Sequence, residues 1–143
     1  IEVLNLMLNY EIEQAEEKAI RVKCAVEAYH CPVDETELCI IIGNLFDNAI
    51  EAVKDLPDEQ RQIDFSIQNP NGIFRIEMSN PYEDERRKVE HHYLTTKKEN
   101  TEMHGLGLMS VQKIVEKYDG LMEISDTDNV FKVIVIFFVR GND

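Results

Sequence analysis

The sequence predicts an α/β two-layer sandwich, a mixed sheet with helices packed on one face. Three observations lead there. Segments with apolar residues at helical spacing are interleaved with segments that alternate residue by residue. Two pairs of alternating segments are separated by short Asn/Asp-containing turns, as hairpins are. The resulting order is helix, strand, helix, two strands, a long polar segment, helix, two strands. A chain of 143 residues that is 43% hydrophobic fits one domain with its own core.

Residues 2–19 read as a helix, with Leu4, Met7, Leu8, Ile12 and Ala15 along one stripe and acids elsewhere. Val22, Cys24 and Val26 then alternate within a strand over Arg21 to Glu27. Asp34 opens the next helix, with Glu37 three residues later as in a capping box, and Pro57 marks its end. Ile63, Phe65 and Ile67 alternate, Asn69-Pro70-Asn71-Gly72 turns the chain, and Phe74, Ile76 and Met78 alternate again. Residues 80–104 carry mixed charge and no apolar period; a segment of that length inside one domain is expected to be functional or mobile. A helix over about Leu106–Tyr118 follows, with Gly120 as its C-terminal cap. The chain closes on a hairpin about Asp128-Asn129, whose last strand is apolar on both sides and therefore expected to be central.

Composition narrows the partners. With 28 acids against 15 bases the net charge is -13, which repels nucleic acid and anionic lipid. An anion can bind only where backbone N–H groups or a local cluster of cations overcome that field. The longest apolar run, Val133 to Val139, is far short of the roughly 20 residues that span a bilayer, and no signal peptide is evident. The chain opens on Ile1, as a piece of a longer protein such as a membrane receptor would. Cys24, Cys31 and Cys39 are odd in number and lack C-x-x-C spacing, so buried thiols of a reducing compartment are expected.

Two segments could carry chemistry. In ELCIIIGNLFDNAIEAVKDL, residues 37–56, the apolar side chains fill one broad side, and Glu37, Asn44, Asp47, Asn48 and Glu51 fill the other. Asn44 and Asn48 stand four apart, so their amides stack on one face. Amide oxygens can ligate Mg²⁺ and amide N–H groups can donate to phosphate, or the pair is simply part of a solvated face. In MHGLGLMSV, Gly105 and Gly107 stand at the start of a helix, whose unpaired N–H groups attract anions. Taken alone, that pair fits a flexible hinge as well as a phosphate seat. The asparagine pair strengthens the second reading. Neither a P-loop nor a dinucleotide fingerprint is present.

IIIGNLFDNAIEA resembles the N box, and MHGLGL the glycine-rich box, of the GHKL (Bergerat-fold) ATPase superfamily. That superfamily includes sensor histidine kinases, type II topoisomerases, a heat-shock chaperone and a mismatch-repair ATPase. GNLFDNAIEA with SNP and HGLGLMSV is most similar to the ATP-binding catalytic domain of the peptide-quorum-sensing receptor kinases. The likeness covers roughly residues 18–139 and implies the Bergerat fold. It implies that residues 1–17 end a dimerisation helix or form a linker, that 18–143 bind ATP, and that 81–104 are the ATP lid. By the same resemblance Asn44 and Asn48 hold Mg²⁺ and the triphosphate, and His104, Gly105, Leu106, Gly107 and Leu108 surround the phosphates. Lys97 of the lid reaches a phosphate, and Asn80 stands at the adenine.

The implied activity is ATP-dependent protein-histidine kinase, with the catalytic domain on the cytoplasmic side of a membrane-anchored homodimer. Its partners would be its own upstream dimerisation domain and a response regulator. The chain also departs from the pattern. Asn80 replaces the adenine-reading aspartate of most members and the glycines after it are missing. Ile40 occupies the place of the glutamate that activates water in hydrolysing members. Glu51 stands where many kinases carry a base. None of His30, His91, His92 and His104 has the surroundings of an acceptor histidine, which is therefore expected upstream. Two alternatives follow from these departures: a degenerate docking module without turnover, and a GHKL-type serine kinase.

Overall fold

The backbone path follows from where the chain reverses. In a computed structural model that describes residues 2–28, 30–82 and 106–139, helix α1 (Glu2–Glu16) leads into strand β1 (Arg21–Glu27), and helix α2 (Glu35–Val53) crosses to β2 (Gln62–Gln68). Strand β3 (Ile73–Pro81) follows, and helix α3 (Leu106–Lys117) precedes β4 (Leu121–Thr127) and β5 (Val130–Phe138). The sheet order is β1-β2-β3-β5-β4. Only the β1–β2 pair is parallel, as the intervening helix requires, and the other three pairs are antiparallel. The sheet is therefore mixed, as the sequence predicts.

Turn chemistry sets the registers. The first hairpin turns through Asn71 (φ 44°) and Gly72 (φ 82°), with the Ile73 N–H donating to Pro70 O at 3.1 Å. The second turns through Asp128 (φ 56°) and Asn129 (φ 62°) between the paired Thr127 and Val130. Two consecutive positive φ values match the twist of the flanking strands, and Asn-Gly and Asp-Asn tolerate them.

The helix ends differ from the sequence expectation in an instructive way. At the end of α3 the Gly120 N–H donates to Val115 O at 2.8 Å and the Asp119 N–H to Glu116 O at 3.1 Å. The left-handed residue is Asp119 (φ 56°), not Gly120. Gly120 is needed for space instead: a Cβ there would lie 2.5 Å from Ile136 O on the neighbouring strand. Helix α1 ends in the same motif, with Ala19 left-handed (φ 59°) and the Ile20 N–H donating to Ala15 O at 3.0 Å.

All three helices cover one face of the sheet. Phe65, Ile67, Phe74, Ile76, Met78, Val133, Val135 and Phe137 face them, and Ile41, Ile42, Leu45, Phe46 and Ala49 of α2 fill the centre of the core. Fully burying side chains of this size contributes about 1.5 to 3 kcal/mol each. Strand β5 is interior, paired with both β3 and β4, but the midline strand is β3. Its second apolar row is uncovered: Ile134 and Ile136 are half-buried and Phe138 is exposed. The long apolar run thus reflects a partly exposed stripe and not burial on both faces. The cysteines also depart from expectation. They are free thiols, but Cys24 is exposed on the edge strand and Cys31 and Cys39 are only half-buried. Among the described residues no helix is long and apolar enough to cross a membrane.

Candidate functional site

Helix α3 lies beside α2 and runs the opposite way, so its first turn meets the middle of α2 and its last turn meets the first turn of α2. At the upper contact Gly107 stands against Asn44. A Cβ on Gly107 would lie 3.0 Å from Asn44 Oδ1, 3.4 Å from its Cγ and 3.5 Å from its Cβ. Glycine is favoured here by the close approach of the two helices, since a Cβ would push on the Asn44 amide, and backbone conformation does not demand it. The two segments singled out in the sequence therefore touch.

The amide of Asn44 has a defined orientation. Its Nδ2 donates to Ile40 O one turn back, at 2.9 Å, a local bond that polar side chains make inside helices. That leaves Oδ1 on the side of α3. Asn48 follows one turn later on the same face and is half-buried. The first-turn N–H groups of α3 have no partner within the helix and carry its partial positive charge. Leu108 is buried in the core and anchors that turn, whereas Leu106 is 58% exposed. An anion at this end would meet main-chain N–H groups beside an amide oxygen that accepts no hydrogen bond among the described residues. Gly105, His104 and Lys97 lie outside the described residues.

Asn80 lies on the helix-covered face of β3, in phase with Ile76 and Met78 as the alternation predicts, and is 3% exposed. Its Nδ2 donates to Pro81 O at 2.7 Å. Among the described residues no donor meets its Oδ1, so a buried acceptor remains for a ligand N–H.

Two features escape sequence reasoning. The first is Glu11, which takes the place of Ile12 on the packed stripe of α1: Leu4, Leu8, Glu11 and Ala15 are the buried residues. It lies against the Gly43 side of α2 and has no hydrogen bond or ion pair among the described residues. Burial, reinforced by the negative charge of Asp47, pushes its carboxyl up to about 7. The spacing 4, 8, 11, 15 was a usable signal, but an acid on that stripe reads as polar.

The second feature joins the other ends of α2 and α3. Asp34 caps α2, its carboxylate accepting from the Thr36 N–H at 3.1 Å. The capping box expected from Glu37 does not close directly, because a tyrosine stands between. Tyr118 accepts from the Asp34 N–H at 3.2 Å and donates to Glu37 Oε1. Lys117 Nζ holds the other carboxylate oxygen at 2.7 Å. These bonds hold the Glu37 carboxyl below the usual carboxylate range, the Lys117 contact first and Tyr118 second. No local pattern joins residues 80 apart, so the sequence gives no warning of this contact.

Sheet order, a one-sided helix layer and the Asn44–Gly107 contact together define a two-layer sandwich in which two motif-bearing helices meet at one end. The GHKL domain family matches residues 33–137 of it, and the chain belongs to that family. It is 26% identical over 106 residues to the probable C4-dicarboxylate sensor kinase of Halalkalibacterium halodurans, covering 73% of this chain and 20% of that protein. In structure it is similar to the catalytic domain of histidine kinase ThkA, with a TM-score of 0.73 at 18% identity over 96% of this chain and 92% of that one. It is also similar to full-length ShkA in complex with AMPPNP, with a TM-score of 0.72 at 16% identity over 98% of this chain and 30% of that one. The fold is that of histidine kinase catalytic domains. The chain spans about a fifth of the length of the curated relatives it matches.

Proposed function

We propose that this chain is the ATP-binding catalytic domain of a sensor histidine kinase, positioning Mg-ATP for phosphoryl transfer to a histidine on an upstream dimerisation domain. The observation that carries the reading is the contact of Gly107 with Asn44 in a chain of the GHKL family. The similarity to ShkA, a protein seen with AMPPNP, supports the nucleotide. The residues N-box-like IIIGNLFDNAIEA, SNP and HGLGLMSV support the peptide-quorum-sensing type.

The donor set fits the group it would hold. Asn44 Oδ1 and the Asn48 amide are neutral ligands for Mg²⁺, and they add no negative charge beside a polyanion in a chain already at -13. Magnesium, when bound, would neutralise charge on the phosphates. The chain's own part is to bind and orient. First-turn N–H groups of α3 donate to phosphate oxygens, and Asn80 Oδ1 accepts from the adenine amino group. Ile40, 43% exposed, offers no carboxylate to activate water from its place on α2, which favours transfer to a protein nucleophile over hydrolysis. Residues 1–17 would end the dimerisation helix or form a linker to it, and the lid would be residues 81–104. A response regulator would take the phosphoryl group onward.

Calorimetric titration with ATP tests the reading. Magnesium-dependent binding is expected, lost in Asn44→Ala and weakened about tenfold in Gly107→Ala, whose methyl displaces the Asn44 amide. No heat with the folded protein at millimolar ATP would falsify it.

A further inference from the structure

We infer that Tyr118 and Glu37 are positioning residues for the phosphate end of the site, which they set by fixing how far α3 slides along α2. The inference rests on the nucleotide reading above and assigns work to residues remote from the ligand.

Because the helices are antiparallel, a shift at one end is passed to the other. α3 has 12 residues, Leu106–Lys117, so at about 1.5 Å per residue its last turn lies on the order of 15 Å from Gly107. Between those ends the buried side chains of α3, Val111, Ile114 and Val115, are apolar, and apolar burial by itself carries no direction. Directional bonds occur at the far end. Glu37 is gripped by the last residue of α3 and the one after it, Lys117 on one oxygen and Tyr118 on the other, and the Tyr118 oxygen also takes the N–H of the α2 cap residue Asp34.

Both axial offset and roll are thereby set. The roll is reinforced by the Tyr118 ring, which meets Phe137 of β5 edge-on at 5.8 Å between centroids. Precision matters because the helices approach closely there: a Cβ on Gly107 would lie only 3.0 Å from Asn44 Oδ1. A slide along α2 in either direction takes the first-turn N–H groups out of register with the Asn44 amide oxygen that stands beside them. Adenine, by contrast, would be read from β3, which this network does not touch.

That contrast supplies the test. Tyr118→Phe keeps the ring on Phe137 and removes only the hydroxyl. Calorimetry on this variant should show Mg-ATP binding weakened about 3- to 10-fold, as expected for the loss of a hydrogen bond to a charged group that is only partly passed on. Adenosine binding should stay within about twofold. Glu37→Ala should behave like Tyr118→Phe, and Glu37→Gln, whose carbonyl still accepts from Tyr118, should recover most of the ATP affinity. Unchanged ATP binding in Tyr118→Phe, or equal loss of ATP and adenosine, overturns the inference and leaves the nucleotide reading intact. Wild-type protein that binds neither ligand overturns both. Should Tyr118→Phe fail to fold, the Glu37→Ala and Glu37→Gln pair decides by the same ratio.

Discussion

Asn44 and Asn80 show how much a single amide can do when one of its ends is already tied. Each spends its Nδ2 on a nearby backbone carbonyl, Ile40 for the first and Pro81 for the second. What remains is an acceptor held in place without a charge. For Asn80 the consequence is measurable, since leaving a buried polar partner unmatched costs about 1 to 3 kcal/mol. Asn80→Ala should weaken adenine-nucleotide binding by about that amount in a calorimetric titration, with the melting temperature little changed. Full retention of affinity means that another residue reads the base. Glycine carries the complementary lesson. Gly120 is required by a neighbouring carbonyl and Gly107 is favoured by the amide beside it, and neither is required by a left-handed backbone.

At the scale of elements, the helix layer is held by unlike interfaces. α3 meets α2 through a directional clamp and a close glycine contact. α1 meets α2 through Leu4, Leu8, Ala15 and a buried acid. Glu11 makes the second interface sensitive to pH. Its carboxyl holds a proton in the folded protein that the unfolded chain releases, because its value rises from 4.5 to about 7. Such a group favours the folded state fully below the unfolded value, and that contribution is lost as pH rises through about 7. Asp47, also raised by burial, acts in the same direction. Glu11→Gln should therefore stabilise the protein at pH 8 by about 1 to 2 kcal/mol, and the gain should vanish near pH 5. Urea unfolding at the two values checks it; an equal effect at both places Glu11 in contact with water. The outer stripe of α1, Val3, Leu6 and Tyr10, is exposed.

For the molecule as a whole, the proposed activity needs an acceptor histidine, which we propose lies on a dimerisation domain outside these residues. Joined to the dimerisation segment proposed above and given Mg-ATP, the protein should form an acid-labile, base-stable phosphohistidine that disappears in Asn44→Ala. An acid-stable product would identify a serine kinase, and no product beside intact ATP binding would identify a docking module. Net charge bears on the same assembly. At -13 the domain repels polyanions at long range, so ATP must be captured locally, by main-chain N–H groups and by the cation it brings.

Local rules placed the strands, the two hairpin turns, the Asp34 cap and the paired motifs, because each depends on residues within a few positions of one another: alternation, Asn-Gly chemistry, i to i+4 stacking. They also placed Asn80 on the covered face, since β3 keeps its period to the end. Tertiary packing decided the rest. Glu37 turned from the cap of its own helix to Lys117 and Tyr118, Gly120 answered to a carbonyl on β5, Glu11 was buried where Ile12 was expected, and Cys24 stayed exposed because β1 is an edge. In every such case the deciding partner lies far along the chain or at the sheet boundary. Periodicity reports which way a side chain points, but only the assembled fold determines what stands opposite it.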